Sequence, residues 1–371
     1  FHGQGGPILV KRHPLNSLTD DQLAFYKACK YLGYEENIDH NLPDATGVGP
    51  YPLNNPDGIR FSTALGYLSQ SRHRLNLTIK PNCVTQKIVF DRNIATGVEV
   101  ISGGEIFKVE GTEIILSAGS IATPQILMLS GIGSEELLST FDISVISNLP
   151  GVGKNLRDHP TVHTTWKPHS SFNKPEQRIG PQKVALRYTS QDSKYQNDMI
   201  MIMRFSHEIG DVGALMISVG IYLAESVGRI SLQSTDINIQ PILDYNLLSH
   251  KYDLKRLREG VRLADKIAKA PSFTDTVVAR LSPDEITINN DDLLDRWMLE
   301  NVLTMHHISG TCKMGPKSDA EAVVDQYGLV YGTEQLRIAD ASILPDCPRA
   351  NTNVAAMLIG ERIADFIKTG G

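Results

Sequence analysis

The sequence predicts a mixed α/β protein, in which an antiparallel sheet flanked by helices is interleaved with a dinucleotide-fold element, and three stretches carry that reading. Glu113-Ile114-Ile115-Leu116 is a short apolar strand that turns through Ser117-Ala118-Gly119 into a helix from about Ala122 to Leu129. A strand, a turn of small residues and a helix let backbone come close to a cofactor. Alternation through Ala95 to Ile101 and again through Ile106 to Glu110 predicts an antiparallel hairpin. Met199 to Met203, Ala214 to Leu223 and Gly228 to Leu232 read as further sheet strands, and Ser249 to Ala268 places Leu254, Leu257, Val261 and Ile267 at helical spacing with mixed charges opposite. The methionines of 199–203 read as core filler.

Between these lie weaker signals. Residues 8–12 read as a strand. Leu18 to Leu32 reads as a helix with Thr19 at its cap, and Asn41 to Asp57 as a loop rich in Pro, Gly and Asn. Arg60 to Leu68 reads as helical, Leu75 to Val84 as a strand running on into Ile88-Val89-Phe90, and residues 161–197 as polar and irregular. Leu336 to Asp340 reads as a strand ending in an Asp340-Ala341-Ser342 turn. The Pro-free apolar run from Val354 to Lys368 follows Asn351-Thr352-Asn353, a helix start signal.

Composition excludes more than it selects. The 371 residues are enough for two domains, and 41% hydrophobic content, 21% charged content and a net charge of -6 describe a globular chain with no basic excess for nucleic acid. No apolar run approaches the roughly 20 residues that cross a bilayer. The opening stretch from Phe1 to Pro7 has neither the basic nor the apolar region of a targeting segment and does not look like a natural N-terminus. Localisation stays open. Cys29, Cys83, Cys312 and Cys347 lack metal-ligand spacing and read as buried free thiols, so no metal is expected.

The chemistry concentrates in the C-terminal sixty or so residues. His307 stands in His306-His307-Ile308-Ser309-Gly310-Thr311, and a histidine takes a proton near neutral pH. Asn351 can hydrogen-bond the oxygen that loses that proton. The helix start at Thr352, Asn353 and Val354 offers backbone N–H groups and the positive end of a helix dipole to developing negative charge. A His beside Gly-Thr is, taken alone, more often structural than catalytic.

A third stretch changes that balance. Gly119-Ser120-Ile121-Ala122-Thr123-Pro124 through Ser130-Gly131-Ile132-Gly133, taken with His307-x-x-Gly-Thr and Asn351-Thr-Asn, resembles the glucose–methanol–choline family of FAD-dependent oxidoreductases. Residues 119–133 fit that family's second signature at every constrained position. Further motifs follow in family-like order: His2-Gly3, Arg60 to Leu68, Asn76-Leu77-Thr78 and Leu149 to Pro160. The resemblance implies an FAD-binding domain with the partial Rossmann-like fold, interleaved with a substrate domain built on an antiparallel sheet. Its expected blocks are 1–59 on the substrate side, 60–160 and 311–371 for FAD, and 161–310 for substrate.

By the same resemblance, His307 is the base that takes a hydroxyl proton during alcohol oxidation, Asn351 holds the resulting oxygen, and His306 is second to His307 on the substrate side. Val84, Ala118, Gly119, Asp340, Ala341, Thr352, Asn353 and Val354 are the implied FAD contacts, Val84 at the adenine end. Asp340 has an equally good role as a turn cap. The family's N-terminal Gly-x-Gly-x-x-Gly turn is absent: Gly3-Gln-Gly5, Gly47-Val-Gly49 and Gly151-Val-Gly153 each begin the pattern, and none completes it. The chain thus resembles the C-terminal two-thirds of a family member, and a complementary N-terminal polypeptide is an implied partner beside the small alcohol. Two other readings stand: a flavin-containing lyase of the same fold, and a non-catalytic binding or structural chain that has lost FAD.

Overall fold

The protein is described by a computed structural model covering residues 3–169, 181–206, 209 and 213–370. His2 of the first family motif, and residues 170–180 of the stretch read as irregular, lie outside the described residues. The chain forms two compact units. One takes the chain up to Ile79 with Pro160–Leu223 and Lys251–Leu303, and the other takes Lys80–His159, Ala224–His250 and the chain from Thr304 on. These divisions differ from the blocks read off the sequence: residues 60–79 lie in the first unit, and 224–250 and 304–310 in the second.

The first unit is an antiparallel sheet. Its strands run in the order Val277–Ser282, Pro160–Pro168, Ala214–Ile221, Met199–Ser206, Val184–Tyr188, Gly47–Pro50. Residues 161–168 and 184–188 are therefore strand, contrary to the irregular reading. Their threonines are β-branched and suit a pleated surface, and two of the hydroxyls find acceptors across the sheet: Thr161 Oγ1 donates to the Val219 carbonyl and Thr164 Oγ1 to that of Ile217, each at 3.0 Å. Met199, Met201 and Met203 are fully buried, the core role expected of them.

The helix Lys251–Ala268 packs on this sheet, as its apolar stripe predicts. Gly260 lets it come close, because a Cβ there would lie 2.6 Å from Val219 Cγ1. Arg256 is buried with it. Its guanidinium meets Asp198 Oδ2 at 2.9 Å, Asp253 Oδ1 at 2.6 Å and the Leu223 carbonyl at 2.7 Å, so two carboxylates and a carbonyl face the charge, while Nε is buried without a partner among the described residues. The helix Asp20–Tyr31 forms as expected, although the Thr19 side chain makes no capping bond.

In the second unit, Val84–Asp91, Ile94–Ser102 and Glu105–Glu110 form a three-stranded antiparallel sheet. Gly103 and Gly104, with φ of 60° and 88°, supply the left-handed pair that a two-residue hairpin turn needs. The expected strand from Leu75 starts only at Val84: Pro81 has no N–H for a ladder, and Asn82 is left-handed with φ 57°. Arg60 to Leu68 is helical only from Ala64, and residues 8–12 are strand only at Lys11–Arg12. Cys83 is partly exposed rather than buried.

Ile114–Leu116 pairs in parallel with Leu336–Ile338, and both strands run into turns at the same end. The first of these leads into the helix Gly119–Leu129, three residues longer at its start than the sequence indicates. Gln125 of that helix donates to the carbonyls of Ile237 at 3.2 Å and Ile239 at 2.9 Å, which ties 224–250 to this unit. The helix Thr352–Thr369 closes the chain.

Candidate active site

The site is built in the second unit by two short ladders. Arg157 and Ser309 exchange backbone hydrogen bonds of 2.9 Å, and Met305 N donates to the His159 carbonyl at 3.0 Å, so residues 305–309 run beside 157–159. Gly310 N, Cys312 N and Met314 N then donate to the carbonyls of Ala341, Ser342 and Ile343 at 3.1, 2.8 and 2.8 Å. His307 is thereby carried between the 157–159 segment and the turn that begins at Asp340.

The Gly-Thr pair that follows His307 is structural. Gly310 has φ 78°, and a Cβ there would sit 2.7 Å from the Asn155 carbonyl oxygen. Thr311 is fully buried and its Oγ1 donates to the Ser120 carbonyl at 2.7 Å. That carbonyl is the one Pro124, four residues on in the helix Gly119–Leu129, has no N–H to reach.

A buried carboxylate straps the histidine loop. Asp158 Oδ1 accepts from His307 N at 3.0 Å and from His159 N at 2.7 Å, and Oδ2 accepts from Thr304 Oγ1. Burial nonetheless raises the Asp158 carboxyl above its usual range. His306 takes a left-handed backbone, φ 61°, and its N–H donates to Thr304 Oγ1 at 2.8 Å.

Asn155, Arg157 and His159, alternating along one stretch, all reach the 345–348 loop. Asn155 Nδ2 donates to the Pro345 carbonyl at 3.2 Å, Arg157 Nε to Asp346 Oδ1 at 2.7 Å, and His159 Nε2 lies 2.9 Å from the Pro348 carbonyl. That loop delivers Asn351, whose Nδ2 is 3.0 Å from His307 Nε2. The other ring nitrogen of His307, Nδ1, is 2.8 Å from His159 Nδ1. His307 is 8% exposed. Burial first, and the neighbouring His306 second, bring its pKa down to about 4, so it is neutral at physiological pH.

A second cluster of sequence-predicted residues forms at the ends of the two parallel strands. Asp340 Oδ2 accepts from Gly119 N at 3.0 Å and Thr123 Oγ1 at 2.6 Å, and Oδ1 accepts from Ser342 N at 2.8 Å. The carboxylate thus ties both turns together, and it brings Ala118, Gly119 and Ala341 to one place. Val84 lies half-exposed at the start of the strand Val84–Asp91. Thr352, Asn353 and Val354 form the first turn of the last helix, for which Asn351 is the N-cap residue but provides no side-chain cap.

Family models described as GMC oxidoreductase match residues 6–161 and 224–360. The chain belongs to the GMC oxidoreductase family. It is 33% identical to an oxygen-dependent choline dehydrogenase of Escherichia coli, over 99% of this chain and 71% of that one. An uncharacterized GMC-type oxidoreductase of Rhodococcus erythropolis is 32% identical, over 99% and 72%. Among solved structures, pyridoxine 4-oxidase from Mesorbium loti superposes with a TM-score of 0.90 at 25% identity, over 98% of this chain and 72% of that one. Formate oxidase shares the fold at a TM-score of 0.87, 24% identity, and 99% and 73% coverage.

GMC oxidoreductases are FAD-dependent, and the second unit fits a flavin in three respects. Gly119 is left-handed with open space where a Cβ would be, the requirement for backbone that lies against a ligand. Ser120 Oγ beside it is buried with no hydrogen-bond partner among the described residues. The last helix begins without a side-chain cap and exposes Val354 at 65% and Leu358 at 59%, an apolar face beside uncapped N–H groups.

Proposed function

We propose that this chain oxidises a small-molecule alcohol with FAD as the electron acceptor, using His307 as the base and Asn351 as the partner of the substrate oxygen. The observation that carries the reading is the 3.0 Å contact of Asn351 Nδ2 with His307 Nε2, made by a residue that occupies a helix N-cap and leaves that cap unmade.

An amide nitrogen can only donate, so His307 Nε2 presents its lone pair in this contact. A substrate hydroxyl that takes the place of this direct contact would donate to Nε2 and accept from Asn351 Nδ2. As the carbon-bound hydrogen leaves, His307 takes the hydroxyl proton and Asn351 holds the oxygen on which charge develops. The first-turn N–H groups of Thr352, Asn353 and Val354 would face the flavin, with Ala118, Gly119, Ala341 and Val84 as backbone contacts and Asp340 fixing the turns. When bound, FAD supplies the two-electron acceptor. His306 remains beside the base and, when protonated, disfavours charge on it.

The likeness to a choline dehydrogenase and a pyridoxine oxidase supports an alcohol, and choline and pyridoxine head the panel that tests it. FAD-loaded protein, mixed anaerobically with single alcohols, should lose its visible flavin absorption with at least one of them. Retained absorption with every alcohol, in protein that holds FAD, would refute the reading.

A further inference from the structure

The ring nitrogens of His307 and His159 face each other at 2.8 Å, Nδ1 to Nδ1, with the rings edge-on at 76°. One nitrogen must carry a hydrogen and the other must not. The two ends of the array decide which. At one end the Pro348 carbonyl can only accept, so His159 Nε2, 2.9 Å away, carries a hydrogen. A neutral His159 then has a lone pair at Nδ1, and His307 Nδ1 must be the donor to it. At the other end Asn351 Nδ2 can only donate, so His307 Nε2 must be the acceptor. Both ends demand the same direction: Asn351 N–H to His307 Nε2, His307 Nδ1–H to His159 Nδ1, His159 Nε2–H to the Pro348 carbonyl. The reverse assignment would set two lone pairs against each other at Pro348.

We propose that His159 is a positioning residue, which holds His307 in the tautomer that leaves Nε2 free to take the substrate proton. This rests on the reading of His307 as the base. His159 is itself fully buried, and its ring cannot swing away from His307 without also losing the 2.9 Å contact of Nε2 with the Pro348 carbonyl. The arrangement follows the rule that a base is oriented through its second nitrogen, with a neutral imidazole where other sites use a carboxylate. When His307 takes the proton at Nε2, its Nδ1–H donates to the His159 lone pair, and the positive charge is shared with a group that has no charge of its own to repel it.

The test combines a spectrum with two variants of the FAD-loaded protein. In protein carrying nitrogen-15 histidine, the long-range proton–nitrogen spectrum should show His307 protonated at Nδ1 and bare at Nε2. A hydrogen on Nε2 in the unmodified protein overturns the proposal without any variant. His159→Ala should shift His307 toward the other tautomer and slow anaerobic flavin reduction by alcohol roughly a hundredfold, within the range of general-base catalysis, at an unchanged dissociation constant for the alcohol. His159→Asn, whose Oδ1 can accept the same N–H while the Pro348 carbonyl still loses its partner, should recover most of the rate and the tautomer. Equal loss in both variants would mean that the contact to Pro348 is what matters, and would overturn it. If His307→Ala leaves the reductive rate unchanged, the reading of His307 as base fails. If His307→Ala abolishes it while His159→Ala changes neither rate nor tautomer, only the present inference fails.

Discussion

Thr311→Val should destabilise the protein by about 1 kcal/mol, and Pro124→Ala should remove most of that cost. Thr311 is fully buried and its hydroxyl is the donor to the Ser120 carbonyl at 2.7 Å. Valine keeps the shape and removes the donor. Pro124 stands where the helical N–H for that carbonyl would be, so the carbonyl is left without either partner. An unsatisfied buried acceptor costs about 1–3 kcal/mol, and the methyl gained by valine offsets about 0.8 kcal/mol. With Ala at position 124 the helix supplies its own N–H, and Thr311→Val then removes one of two donors, a net hydrogen bond of about 1 kcal/mol that the same methyl largely offsets. The assay is the urea midpoint and slope of the four proteins in the double-mutant cycle. Coupling of about 1 kcal/mol is expected. Additivity within roughly 0.5 kcal/mol would mean that the two side chains do not share that carbonyl and would refute the reasoning.

Other consequences follow from the same contacts. Asp158→Ala orphans two buried backbone N–H groups, those of His159 and His307, and at about 1–3 kcal/mol each should expose the amides of 304–309 to hydrogen exchange; unchanged protection there would count against the strap. Arg256→Met leaves Asp198 and Asp253 buried without their counter-charge and should cost about 3–5 kcal/mol, measured by urea unfolding. His40, fully enclosed and made harder to charge by burial and then by Arg187, has its pKa brought down to about 4. The unfolded chain therefore takes up that proton near pH 6.5 while the folded chain refuses it, so the stability His40 contributes is present above pH 6.5 and is lost as pH falls toward 4, at most about 3 kcal/mol. Burial raises the carboxyls of Asp21, Asp158 and Glu259, which act in the opposite sense, so the test is the difference between the protein and His40→Gln, whose Nε2 can still reach the Gly49 and Ala185 carbonyls. The variant should lose less stability between pH 6.5 and 4.5; parallel curves would contradict the assignment.

What was legible in the sequence was whatever is written locally. The hairpin 94–110 shows in its alternation, the helix Lys251–Ala268 in its apolar stripe, and the start of the last helix in Asn351-Thr352-Asn353. His307 and Asn351 were legible as candidates because each sits in a short motif, and the structure brings them within 3.0 Å of each other.

What was not legible depends on partners far away in the chain. His159 stands out only as one letter of the motif ending in Asp158-His159-Pro160, since its partner lies 148 residues on. The helix starts at Gly119 rather than at about Ala122, and the hydroxyl that stands in for the N–H missing at Pro124 comes from Thr311, 191 residues beyond Ser120. Thr161 and Thr164 read as irregular because their acceptors belong to a neighbouring strand. In each case a polar group looks like a breaker of structure until the group that satisfies it is in view.

The most direct test of the account is the anaerobic reduction of bound flavin by alcohol in His307→Ala, followed in stopped flow beside the unmodified protein. Removal of a general base should slow that step by about 10²–10⁴-fold while FAD stays bound. A reductive rate within a few-fold of the unmodified protein would contradict the central claim that His307 takes the substrate proton.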